Sequence, residues 1–68
     1  MEQSLGHRIA LERKNAGLTQ KELAQKIGVP YQTVQFWEHG KRNPKFENIQ
    51  KIAAALGVSW LDLMPKEV

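Results

Sequence analysis

Thr19-Gln20-Lys21-Glu22-Leu23-Ala24-Gln25-Lys26-Ile27-Gly28-Val29-Pro30-Tyr31-Gln32-Thr33-Val34-Gln35-Phe36-Trp37-Glu38 is the stretch on which the reading of this chain turns. It divides at Gly28 into two short helical patterns. Thr19 and Glu22 stand three apart, the spacing at which a hydroxyl and a carboxylate cap a helix start reciprocally. Leu23, Ala24 and Ile27 then supply the buried face of a helix over about residues 20–27. The second pattern, about residues 31–39, is entered through Val29 and Pro30. At roughly 100° per residue, Val34 and Trp37 share one side with Glu38 beside them, while Gln32, Gln35, Phe36 and His39 take the other. A glutamine amide donates and accepts at once, so it can pair with both N6 and N7 of adenine. A short rigid helix bearing such amides suits a DNA major groove. From this helix alone, an ordinary solvated surface explains the same residues equally well.

The pattern extends in both directions. Gly17, Gly28, Gly40 and Gly57 each follow a helical run, and glycine past a helix end admits the left-handed conformation that closes it. The first run, residues 4–16, carries Leu5 and Ile9 on a stripe that Arg13 continues. A fourth, residues 46–56, has Phe46, Ile49, Ile52, Ala53 and Leu56 at helical spacing. A fifth starts after Ser59, which with Asp62 repeats the capping pattern; Leu61 and Met64 form its inward face and Pro65 stops it. No sustained apolar/polar alternation marks a strand. The expectation is one compact all-α domain of five helices over residues 1–68.

Bulk properties narrow the possibilities. A chain of 68 residues allows one domain with a small core. It has no cysteine, hence no disulfide staple and no thiolate metal site. No apolar run is long enough to span a bilayer and no leader pattern opens the sequence, which predicts a soluble, cytoplasmic protein. The formal net charge of +3 and sequence pI near 9.5 are compatible with nucleic acid without demanding it. His7 and His39 lack a third ligand at suitable spacing. Ser4 and Ser59 read as helix caps, so no nucleophile–base set is legible. Neither catalysis, a cofactor nor a metal is expected.

With Leu18-Thr19-Gln20, Glu22-Leu23-Ala24, Gly28-Val29, Thr33-Val34, Trp37-Glu38 and Gly40 in order, the chain resembles the phage-repressor and Cro-like helix-turn-helix regulators, the Xre family. Arg13, Pro44 and the run Ala53-Ala54-Ala55-Leu56-Gly57-Val58-Ser59 extend the likeness over nearly the whole chain. The resemblance implies a lambda-repressor-like fold and binding to double-stranded DNA as a homodimer. It places Tyr31, Gln32, Gln35 and Phe36 toward bases or flanking phosphates. Thr19 and Gln20 fall at a helix start that contacts phosphate, Gln20 also buttressing the recognition helix. Lys41, Arg42 and Asn43 fall in a backbone-touching loop, with Lys45 and His39 beside it. It also implies that Arg13 and Glu38, both on inward stripes, pair across helices; independent solvation is the alternative.

Two residues depart from the family pattern. Pro30 stands where a Ser or Thr cap is common, and Phe36 where a polar or basic reader is common; Phe36 fits a thymine methyl or a partner contact. Trp60 reads as an interface anchor in the region that helps form the family's dimer, or as a ring lying over its own core. The functional expectation is a sequence-specific transcriptional regulator, a prokaryotic or phage repressor binding a two-fold operator. An antitoxin or restriction–modification controller of the same fold, or a protein-interaction module that does not read DNA, are the alternatives.

Overall fold

A computed structural model describes residues 4–65. Four α-helices, α1 (Leu5–Asn15), α2 (Gln20–Ile27), α3 (Tyr31–Glu38) and α4 (Phe46–Leu56), precede a single 3-10 turn, Trp60–Leu63. Short polar side chains set the starts of α1 and α2. Ser4 Oγ accepts the His7 N–H at 3.2 Å. At α2 the reciprocal cap is complete: Thr19 Oγ1 accepts the Glu22 N–H at 3.1 Å, and the Thr19 N–H donates to Glu22 Oε1 at 2.8 Å. The Thr19 N–H, and after it the hydroxyl, hold the Glu22 carboxyl below the usual carboxylate range. That contribution is present above the ordinary carboxylate pKa and is lost as pH falls through the lowered value. All four post-helical glycines have positive φ. At Gly28 (φ 76°) this reversal turns the chain so that both the Gly28 and Val29 N–H groups return to the Ala24 carbonyl, at 2.9 and 3.1 Å.

The helices close around Ile9, Leu23, Val34, Trp37, Ile49, Ile52 and Leu56, with the small Ala24 and Ala53 and the fully buried Leu63 in the same cluster. α3 packs against both α1 and α2, and the 3-10 turn against α1 and α4. Gly6 lets α1 come so near to α3 that a Cβ there would lie 2.7 Å from the Glu38 carbonyl oxygen, and closer still to that of Trp37. Arg8 ties the 3-10 turn to α1: its Nε and Nη2 donate to the Asp62 carbonyl at 3.0 and 2.8 Å, and Nη2 meets Glu12 at 3.1 Å.

Three expectations need correction. The fifth helix is a 3-10 turn of four residues. Met64, the residue before Pro65, is extended (φ −71°, ψ 137°), as a following proline favours, so the turn ends at Leu63. Its inward residue is Leu63, fully buried, whereas Leu61 is 60% exposed; three residues per turn, not 3.6, set the face. Phe46 is half exposed. It lies at the very start of α4, outside the core, with its ring edge-on to Trp60 at 5.0 Å.

Candidate nucleic-acid interface

The base of α3 is fixed by a buried polar cluster. Arg13 from α1 meets Glu38 in a two-pronged pair, Nε to Oε2 at 2.6 Å and Nη2 to Oε1 at 3.1 Å. The third guanidinium nitrogen, Nη1, donates to the Leu18 carbonyl at 2.8 Å. Gln20 adds its Nε2 to Glu38 Oε1 at 2.9 Å. Both charged side chains are at least nine-tenths buried. Such a pair is weak evidence for net stability, since desolvation offsets much of the attraction. It does tie the end of α3 to both α1 and α2, because Arg13 and Gln20 converge on its one carboxylate. Gln20 thus reaches α3 through its amide.

On the opposite side α3 faces solvent. Gln32, Phe36 and His39 are exposed, and Tyr31 and Gln35 half-buried. Pro30 begins the helix without a side-chain cap, in extended geometry (φ −61°, ψ 147°), so the solvent face starts directly at Tyr31. The Lys21 ammonium sits 5.4 Å from the centre of the Tyr31 ring, and the Arg42 guanidinium 5.4 Å from that of Phe36. Cations at this distance are held by the ring quadrupole. Two positive charges therefore flank a polar stripe. Gln35, Phe36, His39 and Lys41 line a shallow cleft beside it. The Lys41 and Arg42 N–H groups return to the Phe36 carbonyl at 2.9 and 3.4 Å, which ties the start of the loop to α3.

Lys21, Tyr31, Gln35, Phe36, His39, Lys41 and Arg42 are thus joined into one continuous surface, with Thr19 and Gln20 just before Lys21 in the chain and Gln32 on the outer side of α3. Asn43 and Lys45 are exposed and follow in the same loop, on either side of buried Pro44. Trp60 stands apart: it belongs to a cluster with Phe46, above a shallow cleft formed with Ala53, Ala54 and Val58. The arrangement can offer amide donors and acceptors to base edges and charge to phosphates. Among the described residues no group of three His, Asp or Glu side chains is placed to hold a metal, and no helix is long and apolar enough to cross a membrane. Lys21 is a member of the surface that residue patterning passed over. Its i, i+10 relation to Tyr31 crosses the turn and has no periodic signature.

The sequence matches the helix-turn-helix family over residues 9–63. It is 36% identical over 64 residues to the HTH-type transcriptional regulator y4dJ of Sinorhizobium fredii, a match covering 94% of this chain and 83% of that relative. The restriction–modification controller protein C.AhdI of Aeromonas hydrophila superposes with a TM-score of 0.84 at 35% identity, over 88% of this chain and 91% of its own. SinR of Bacillus subtilis, the master regulator for biofilm formation, solved in complex with DNA, superposes with a TM-score of 0.82 at 35% identity, over 87% of this chain and 95% of its own.

Proposed function

Because the chain belongs to the helix-turn-helix family and is a DNA-binding transcriptional regulator, we propose that it reads a specific duplex sequence with the outer face of α3, as a non-enzymatic cytoplasmic repressor. The observation that carries this reading is the pairing of a rigidly seated α3 with an amide-bearing outer face, flanked by Lys21 and Arg42. Gln32 and Gln35 supply base contacts, Tyr31 and Phe36 line the groove wall, and Thr19, Gln20, His39, Lys41, Arg42, Asn43 and Lys45 meet phosphates. Phosphate contacts set register and base contacts set sequence. Two copies binding a two-fold site would place their α3 helices about 34 Å apart, one helical turn. Occupying a promoter then represses it. The likeness to C.AhdI supports a controller of restriction–modification genes as a second reading with the same DNA chemistry.

Selection of bound sites from random duplex tests this reading. The expected product is a pair of inverted half-sites one turn apart; no enriched sequence would overturn it. On the selected site, Gln32→Ala should lose about 1–3 kcal/mol of discrimination at one position per half-site, with non-specific affinity unchanged. Lys41→Ala with Arg42→Ala should instead weaken binding to all sequences alike. The salt slope should flatten by up to about 1.8, or about 0.9 for each phosphate no longer neutralised; a titration against salt measures it.

Two-fold binding also needs a surface between copies. Phe46, Trp60 and Leu61 are large, apolar and exposed, and aromatic anchors of this kind concentrate binding energy at interfaces. Trp60→Ala should weaken association or cooperative DNA binding while leaving helicity intact. Sedimentation and circular dichroism check both; lost helicity with unaltered association would make Trp60 part of the fold.

A further inference from the structure

The two glutamines of α3 are not equivalent. Gln32 is exposed and makes no side-chain hydrogen bond among the described residues. Gln35 Nε2 donates to Tyr31 Oη at 2.9 Å, one helical turn back. Residues four apart share a face, so the two side chains lie along the same outward stripe. The Tyr31 ring is itself held from the other side by the Lys21 ammonium. We infer that Tyr31 is a positioning residue that fixes the Gln35 amide in the orientation that selects adenine. The inference rests on the base-reading role proposed for α3.

The amide inventory supports it. Nε2 carries two N–H groups and Oε1 accepts. With one N–H committed to Tyr31, one N–H and Oε1 remain, and those two are what adenine N7 and N6 require. Glutamine is among the side chains with most rotamer freedom to lose on ordering, and the Tyr31 bond removes part of that freedom before DNA arrives. Accepting from Gln35 leaves the phenolic proton to be donated outward, so the tyrosine can serve both neighbours. Without Oη the amide plane can turn over, exchanging donor for acceptor, and adenine loses its advantage over competing bases.

Binding of the intact protein to every single-base variant of its selected site, for Gln35→Ala, Tyr31→Phe and the double variant, tests this. Tyr31→Phe keeps the ring and the Lys21 contact, and an unchanged melting midpoint confirms the fold. Gln35→Ala should reduce discrimination for adenine at one position per half-site by about 5- to 150-fold. Tyr31→Phe should reduce it at that same position by about fivefold or more, with salt slope unchanged, and should add nothing in the Gln35→Ala background. The inference is overturned if Tyr31→Phe leaves the profile intact, acts at a different position, adds its effect to that of Gln35→Ala, or weakens all sequences uniformly. If Gln35→Ala is silent while Gln32→Ala is not, this inference falls and the base-reading role of α3 stands; if neither changes the profile, both fall.

Discussion

Glu38→Ala is expected to destabilise the fold by about 3–5 kcal/mol, the cost of leaving a buried charge without its partner. In a domain of this size that lowers the melting midpoint by at least about 12 °C. The reason is local and severe. Arg13 would keep only its bond to the Leu18 carbonyl, with Nε and Nη2 stranded in a site one-tenth exposed. Gln20 would lose its acceptor as well. Small domains have margins of about 5–15 kcal/mol, so the variant should unfold over a broad range of mild conditions. Replacing Arg13 and Glu38 together by apolar residues of similar volume should recover most of the loss, because neither charge is then left alone. Thermal melts of the single and double variants check this. A midpoint shift too small to resolve in the single variant would mean that both charges are hydrated.

Gly6→Ala is expected to destabilise although it lies within α1, where alanine ordinarily gains about 1 kcal/mol over glycine. The added methyl would press on two backbone carbonyls at the end of α3, and neither can rotate away as a side-chain tip can. Overpacking of this kind costs about 1–3 kcal/mol, and the upper end applies where backbone must shift. α1 and α3 would separate, which also displaces Arg13 from Glu38. The variant should therefore lose DNA affinity at temperatures where it is still folded. A melt combined with a binding titration measures both; a raised melting midpoint would show that α1 has room to move.

These residues mark where sequence reading succeeds and where it stops. The Thr19–Glu22 cap and the Gly28 reversal were legible because each is decided within four residues of chain. The division of α3 into a buried Val34–Trp37 side and a glutamine side was legible because one helical period governs it. Gly6 was not, since its need for no side chain arises only when α3 crosses α1. The Leu61–Leu63 exchange followed from applying an α-helical period to a segment that forms a 3-10 turn. The bond from Gln35 to Tyr31 and the Arg8 clamp on the Asp62 carbonyl depend on rotamers and backbone positions that letters do not specify.

The claim that the outer face of α3 meets DNA is tested most directly by following backbone amide chemical shifts of the isotopically labelled protein as its selected duplex is added. The account predicts that the largest changes fall on Thr19 to Lys21, on Tyr31 to His39, on Lys41 to Asn43 and on Lys45, with the interior amides of α1 little altered. Changes confined to α4 and the 3-10 turn around Phe46 and Trp60, with those of α3 unmoved, would contradict it.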